Sequence, residues 1–369
     1  MDNTITNRQI FFILLLTLTC YSIVPISKDM AEAAGTGAWI PILITALVFA
    51  LAAVCVVYLG NMYRGQMLLD YAPSLITKPG AYALALFYML YFMFILVFLV
   101  TSFSKLLSAD FFPKSPLWSF PLFGIPLFCF IAYKGVTNVA RMSELIGIVF
   151  LCTGVFVHIL MTTEGRVNRI LPLFNPAETG RYIAGIKSAI FPFLGIEVLF
   201  VFPLSPSITK KPLRTGFASL IVIGLFYIFI VQSSIMKLGI NDIVTYKDAL
   251  IVAIRDTSPQ FLEIISRLDI LYLTVGFAGM FTGISVVILA IVEYLCRIFK
   301  NLSRLAAVIT VGAAAYAFFL IASGIKGYDK FSEELGTYIG IFATLIAPAI
   351  LLIIAKAKKK KEKANGNAG

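Results

Sequence analysis

The sequence predicts an all-α, polytopic membrane protein, and three observations lead to this fold class. Of the 369 residues, 60% are hydrophobic and only 13% are charged, whereas soluble domains carry about 25% charged residues. The mean hydropathy of the chain is +0.94. The apolar residues fall in runs near the roughly 20 residues that a helix needs to cross a bilayer. We therefore predict ten transmembrane helices in one domain over residues 1–355, with a basic tail at 356–369.

The predicted spans are taken in chain order, as 10–33, 38–60, 80–108, 116–133, 141–162, 183–204, 214–237, 268–298, 304–323 and 336–355. Lys and Arg concentrate in the loops and ends on the side of the tail, and cytoplasmic loops are enriched in these residues. Both termini are therefore expected in the cytoplasm. The tail from Lys356 to Lys363 is expected to be solvated and disordered beside anionic headgroups.

Two predicted external segments are long, at 163–182 and 238–267. The second contains apolar patches at 249–254 and 261–265, set among charged residues. Either segment is expected to form interfacial or re-entrant helices over the outer mouth, or to be an ordinary loop.

Span 6 has a proline, a glycine and a carboxylate in the middle of an apolar run, at Pro192, Gly195 and Glu197. Proline lacks an N–H and clashes with the preceding turn, so a regular helix does not pass through Pro192 without strain. Backbone groups freed in hydrocarbon need partners in protein or water. Intramembrane carboxylates face a bundle interior or an aqueous cavity. The sequence therefore predicts a helix break beside a cavity.

Span 1 is interrupted as well, over Thr19-Cys20-Tyr21-Ser22-Ile23-Val24-Pro25. Spans 1 and 6 are each the first helix of a five-helix half, roughly 10–162 and 183–323, with 336–355 assigned to the second half. Because five is odd, the two halves lie in opposite orientations. Interrupted segments at matching positions of two halves indicate an inverted-repeat transporter fold with its site near the midplane, of which LeuT is an example.

Broken helices expose free N–H groups that suit a carboxylate and free carbonyls that suit a cation. This pair of poles fits a zwitterion such as an amino acid, with Cys20, Tyr21 and Ser22 supplying thiol or hydroxyl contacts. Glu197 either accepts from an amine or stays protonated in a dry site. Two structural alternatives stay open. Pro25 can kink a membrane helix with no ligand present, and Glu197 can simply bind a neighbouring helix.

The other polar positions are expected to be structural. We predict two ion pairs between neighbours on the same helix, Glu293 with Arg297 in span 8 and Arg141 with Glu144 in span 5. The lone His158 is expected to pack at the outer interface. A further polar patch, Thr282-Gly283-Ile284-Ser285, suits close helix packing and can also line a pocket.

The sequence offers no positive signal for an enzyme, a cofactor or a metal site, because it has no phosphate-binding glycine loop, zinc-ligand spacing or hydrolase constellation. The five cysteines lie in apolar runs and read as core residues. The net charge of +11 is densest directly after the last apolar helix, which favours the lipid bilayer as partner and not nucleic acid.

The chain resembles the B subunit of spore germinant receptors, endospore membrane proteins of the amino acid–polyamine–organocation transporter superfamily. The resemblance is carried by Phe193-Leu194-Gly195-Ile196-Glu197-Val198 and Pro203, followed by Lys210-Lys211. It is supported by Leu171-Pro172, by Arg267-Leu268-Asp269 and by the basic tail.

This resemblance implies a LeuT-like fold that senses a nutrient germinant, with a receptor A subunit and a C lipoprotein as partners in the inner spore membrane. Matching positions imply a pocket formed by Leu194 and Gly195 in span 6, Thr282 in span 8, Ile95 in span 3 and the break around Ser22. The family often has a Gly-Ala-Gly-like run before the span 1 proline. Here Leu18-Thr19-Cys20 stands there, which predicts a narrower pocket or a different germinant.

The predicted function is a germinant-sensing subunit that binds a small molecule, with an amino acid favoured, and signals to its partners. Two alternatives remain. The first alternative is a proton- or sodium-coupled amino acid permease. The second is a scaffold whose pocket is vestigial.

Overall fold

The computed structural model describes residues 5–204, 211–257 and 268–366, and within these ranges every regular element is a helix. The α-helices are α1 (Asn7–Ser22), α2 (Ile26–Ala34), α3 (Trp39–Met62), α4 (Leu68–Leu75), α5 (Lys78–Asp110), α6 (Ser119–Tyr133), α7 (Val136–Glu164), α8 (Thr179–Ile190), α9 (Pro212–Leu238), α10 (Ile240–Ile243), α11 (Ala249–Arg255), α12 (Leu268–Ile298), α13 (Arg304–Ser323), α14 (Tyr328–Ile341) and α15 (Ala347–Gly366). Short 3₁₀ helices lie at Gly35–Ala38, Val167–Ile170, Pro176–Glu178, Phe191–Phe193 and Ile196–Val201, and a π-helical turn at Phe342–Ile346.

Three of the α-helices, α1, α5 and α13, begin at a side-chain cap. The hydroxyl of Thr6 accepts from the Gln9 N–H at 3.3 Å while the Gln9 side chain accepts from the Thr6 N–H at 3.0 Å, so α1 begins with a capping box. The hydroxyls of Thr77 and Ser303 accept from the Gly80 and Ala306 N–H groups and so cap α5 and α13. These caps satisfy N–H groups that have no partner within the helix.

The structure confirms the predicted fold class. Among the described residues, eight helical segments are long and apolar enough to cross a membrane: Ile26–Met62, Lys78–Asp110, Val136–Glu164, Pro176–Val201, Leu213–Leu238, Leu268–Ile298, Arg304–Ser323 and Tyr328–Lys359. The shorter Ser119–Tyr133 covers predicted span 4, and α1 with α2 covers predicted span 1. Length and composition thus identify eight spans, and the count of ten stays a prediction.

Both predicted helix breaks are present. In span 1, α1 ends at Ser22 and α2 begins at Ile26, so the interruption covers three residues and Thr19 to Ser22 remain helical. In span 6 the α-helix ends at Ile190, and a 3₁₀ turn leads to extended Leu194 and to Gly195, whose φ is +111°. The chain then continues as a 3₁₀ helix, a form that rarely exceeds four residues and often marks a hinge.

The core is organised around α12, which packs against α1, α5, α6, α7 and α13. A second group pairs α3 with α9 and sets α2 against α8 and α9. Small residues allow the close approach of α3 and α9, since a Cβ on Gly224 would lie only 2.5 Å from the Cβ of Ala46. Close packing through small residues is typical of helices in membranes, where lipid and side chains are equally apolar.

Two predicted ion pairs are wrong, because partners from other helices replace the predicted neighbour on the same helix. Arg297 binds Asp70 of α4 at 2.5 Å, and Glu293 binds Arg304 of α13 at 2.8 Å. Glu144 binds Arg8 of α1 at 3.0 Å and not Arg141. These pairs tie neighbouring helices together at one end of the bundle.

His158 is fully buried, so the expectation of interfacial packing is wrong. Its Nδ1 lies 2.8 Å from the hydroxyl of Ser233 in α9, and its Nε2 lies 3.5 Å from the hydroxyl of Tyr272 in α12. Hydrogen-bonded partners of this kind are what a buried imidazole requires.

The external segments and the tail also differ from expectation. Between the end of α7 and the start of α8, segment 163–182 contains only short 3₁₀ turns. It therefore agrees with the expected ordinary loop and not with an interfacial or re-entrant helix. The patch at 249–254 forms buried helix α11, whereas 261–265 lies outside the described residues, as do Lys210 and Arg267. The tail is helical as far as Gly366, so the prediction of a disordered tail is wrong there.

Candidate functional site

A cavity of about 530 Å³ lies beside the break in span 1. Cys20, Tyr21, Ser22 and Pro25 line it from span 1, and α5 and α14 form the opposite walls. The structure therefore brings together three of the predicted ligand-binding residues and one of the predicted break prolines. The cavity lining also carries charges of both signs, among them Lys28, Asp29, Lys105, Asp329 and Glu333.

An aromatic layer separates this cavity from the break in span 6. Tyr21 and Phe98 line the cavity, and both rings contact Phe191, with centroids at 5.7 Å and 5.1 Å. Phe191 itself is buried. Leu194, Gly195 and Glu197 lie on the other side of this layer, and all three are buried. The two breaks thus meet across one thickness of side chains.

Gly195 packs directly against α1. A Cβ at this position would lie 3.1 Å from Cγ2 of Thr17 and 3.4 Å from Cε2 of Tyr21. Its positive φ is a conformation that residues with a Cβ adopt only at a cost. Both the close approach and the backbone conformation therefore require glycine here.

Glu197 is held by the break itself and by the last span. Its Oε2 accepts from the hydroxyl of Thr344 at 2.6 Å and from the Gly195 N–H at 3.2 Å. Thr344 lies in the π-helical turn of span 10, and such turns often occur at functional sites. The freed carbonyl of Pro192 accepts from the hydroxyl of Tyr227 at 3.2 Å. The broken backbone is therefore satisfied by protein groups, as a membrane interior requires.

Four buried polar atoms around the break have no hydrogen bond of ordinary geometry to any described residue: Thr17 Oγ1, Tyr21 OH, Tyr91 OH and Glu197 Oε1. Tyr91 nevertheless lies close enough to both Glu197 and Tyr21 to interact with them. An unsatisfied buried polar group costs about 1–3 kcal/mol. Three hydroxyls and one carboxylate oxygen gathered in this way suit a polar occupant that donates hydrogen bonds.

The remaining predicted site residues lie nearby but outside the cavity. The side chain of Leu194 points into a notch at Gly340 of α14, where an added Cβ would be 2.4 Å from Leu194 Cδ1. Ile95 packs toward Gly336 of the same helix. Thr282 bonds back to the Ala278 carbonyl at 2.9 Å, and the adjacent Gly283 lets α12 approach the Leu16 carbonyl of α1.

Sequence reasoning missed the residues that complete the site from other helices. These are Tyr91 of α5, Tyr227 of α9 and Thr344 of span 10, together with Tyr88, whose hydroxyl donates to the Ala343 carbonyl at 2.9 Å. Each is a polar group inside an apolar run, which is the signal that was available. No cluster of three or more potential metal ligands occurs among the described residues.

Comparison with known proteins gives a family match over most of the chain. The family model described as "Spore germination protein" matches residues 4–325. The chain is 20% identical over 368 residues to the spore germination protein GerLB of Bacillus cereus, covering 97% of this chain and 96% of that protein. It is 22% identical over 370 residues to the spore germination protein KB of Bacillus subtilis (strain 168), covering 98% and 97%.

Two solved structures share the fold. MhsT in complex with L-phenylalanine matches with a TM-score of 0.61 at 15% identity, over 93% of this chain and 97% of MhsT. A substrate-bound, outward-open Na⁺-coupled sialic acid symporter matches with a TM-score of 0.66 at 13% identity, over 93% and 79% of the two chains. At these identities the likeness shows the LeuT-type fold alone.

Proposed function

The chain belongs to the spore germination protein family, and from this premise we propose that it is the nutrient-sensing subunit of a germinant receptor. The fold and the family together are those of a germinant receptor or a transporter. In our proposal a small germinant enters the cavity beside span 1 and binds at the midplane, between the two helix breaks. Receptor A and C subunits in the inner spore membrane read the resulting change, and both termini are cytoplasmic.

One observation carries the proposal: four buried polar atoms gather where the two breaks approach each other. Tyr91 lies within reach of Tyr21 and Glu197, yet none of the four atoms has a hydrogen bond of ordinary geometry to a described residue. The phenol of Tyr21 reaches both the cavity and this cluster, so a ligand in the cavity needs only a small displacement of the aromatic layer to reach Glu197. The carboxylate accepts hydrogen bonds and the hydroxyls both donate and accept. This combination favours a germinant with an amino group, such as an amino acid.

The test compares two identical chemical changes at different places. Tyr21→Phe removes the hydroxyl from the cluster, whereas Tyr71→Phe removes an equally buried and unpaired hydroxyl from α4, which does not line the cavity. In spores with the variant as their only copy, we expect Tyr21→Phe to raise the half-maximal germinant concentration about tenfold, the equivalent of one lost hydrogen bond. Tyr71→Phe is expected to respond like the wild type. An unchanged dose response for Tyr21→Phe, with normal protein levels, contradicts the proposed site.

The second candidate function is amino acid permeation coupled to protons or sodium. It is favoured by the shared fold with MhsT and the sialic acid symporter, and by a cavity beside the span 1 break. Flux into proteoliposomes separates the two functions, because a working permease accumulates substrate and a sensor does not. A scaffold with a vestigial pocket would show neither flux nor saturable binding.

A further inference from the structure

A second large cavity, of about 700 Å³, lies at the end of the bundle where α1 and α9 begin. We call it the basic groove, and its rim carries the side chains of Arg8, Lys211 and Arg214. All three lie on the side predicted to be cytoplasmic. The basic groove is distinct from the cavity beside the break in span 1, which we call the germinant cavity after its proposed ligand, since the two share no lining residue.

The rim of the basic groove is strongly cationic. Lys211 and Arg214 are exposed, and 69% of the Arg8 side chain is exposed. Arg8 uses Nε to bind Glu144 at 3.0 Å, which leaves its other guanidinium donors available. Lys211 occupies the N-cap position of α9, so the positive end of that helix's dipole adds to the same field.

The interior of the basic groove is mostly apolar, with Thr215 and Ser219 as polar lining residues of α9, and it follows the membrane-spanning part of that helix. Arg214, Ala218 and Val222 are spaced four residues apart and therefore lie on one face of the helix. Phe11 and Phe12 of α1 form the opposite wall. A cationic rim followed by an apolar channel along a transmembrane helix matches a lipid headgroup followed by its acyl chain.

We propose that the basic groove binds one anionic phospholipid, with its phosphate at Arg8, Lys211 and Arg214 and an acyl chain against Ala218 and Val222. Basic pockets between transmembrane helices on the cytoplasmic side are suited to anionic headgroups. A soluble phosphate satisfies the rim but leaves the apolar interior uncovered, and this decides for the lipid.

The site has a mechanical consequence because Arg8 lies in the first turn of α1. The other end of α1 carries Cys20, Tyr21 and Ser22 at the germinant cavity. Between them Phe12 and Leu16 pack against Gly147 and Gly283, so α1 is seated closely along its length. A lipid that binds Arg8 therefore stabilises α1 in this packed position. Because the same helix reaches the germinant cavity, lipid binding in the inner leaflet is coupled to that cavity.

The experiment uses native mass spectrometry of the purified full-length chain with phosphatidylglycerol or phosphatidylcholine at matched concentrations. The wild type is expected to retain one phosphatidylglycerol preferentially. The triple variant Arg8→Gln, Lys211→Gln and Arg214→Gln is expected to bind it about a hundredfold more weakly, from roughly 1 kcal/mol per cation. The matched control neutralises three exposed cations outside the groove on the same predicted side, Arg64, Arg141 and Lys300.

Ala218→Trp fills the apolar interior without changing charge, and it is expected to displace the lipid while keeping the rim. If the triple variant fails to fold, Ala218→Trp still tests whether the lipid binds in the groove. Equal loss in the control triple would mean non-specific attraction and would overturn the proposal. Lipid retention in Ala218→Trp, or full competition by glycerol 1-phosphate, would place only a phosphate at the rim and would overturn it equally.

Discussion

The breaks in spans 1 and 6 interrupt equivalent helices in different ways. In span 1, Ile23 and Pro25 keep helical φ and ψ values, so the proline produces a kink with little unwinding. In span 6, Leu194 is extended, Gly195 has a φ of +111°, and 3₁₀ turns flank both. A proline alone therefore bends a helix, whereas proline with a positive-φ glycine opens it.

The surroundings of the two breaks differ accordingly. The span 1 break forms a wall of an open cavity, where water can satisfy freed backbone groups. The span 6 break is enclosed, and Glu197, Thr344 and Tyr227 satisfy it. We infer that the first break provides access and the second holds the polar groups that select the ligand. The following variants test that division, from the largest expected effect to the smallest.

Glu197→Ala is expected to destabilise the protein most, by about 3 kcal/mol, because the Thr344 hydroxyl and the Gly195 N–H both lose their acceptor in a buried site. Thermal unfolding of the purified protein in nanodiscs measures the effect. Glu334→Ala, at an exposed position of α14, is the control and is expected to change stability by less than about 0.5 kcal/mol. Equal melting temperatures for the two variants would show that the span 6 break does not depend on its carboxylate.

Gly195→Ala is expected to cost about 1–3 kcal/mol, since the added Cβ meets Thr17 and the backbone is held at positive φ. Gly180→Ala in α8 is the matched control, because no atom lies within 4 Å of its new Cβ. The same unfolding assay applies, and saturable germinant binding is expected to fall only in the first variant. A Gly195→Ala protein as stable and as responsive as the control would refute the required glycine.

Pro25→Ala is expected to change stability by less than about 1 kcal/mol, since the backbone there is already close to helical and needs little rearrangement. Its melting temperature is compared with that of Gly195→Ala in the same nanodiscs. If Pro25→Ala is the more destabilising of the two, the proposed difference between the breaks is reversed.

The sequence was sufficient to locate both breaks, because Pro25, Pro192 and Gly195 act on their own local backbone. It also predicted that Glu197 is buried, since one carboxylate in an apolar run has to be carried into the membrane. The partners of Glu197 were not predictable in this way. Thr344 lies 147 residues further along the chain, and it reaches the carboxylate only through the packing of span 10 against span 6.

The ion pairs show the same limit. Arg297 lies four residues after Glu293, and an isolated helix would pair them. Asp70 and Arg304 compete from α4 and α13, and tertiary packing places them closer to their partners. Local spacing describes what a helix can do alone, and it carries no information on which helix lies beside it.

The most direct test is whether a germinant protects position 24 from a small cationic thiol reagent. Val24 is partly buried and lines the cavity at the span 1 break, so Val24→Cys places a thiol there. Cys55, Cys129, Cys152 and Cys296 are changed to alanine, and Cys20 is retained because a buried thiol is inert. Ser102→Cys, on α5 in the same cavity, is the comparison. We expect a germinant to slow labelling of position 24 at least tenfold while position 102 continues to react. Equal labelling of position 24 with and without a saturating germinant would contradict a ligand site at the helix breaks.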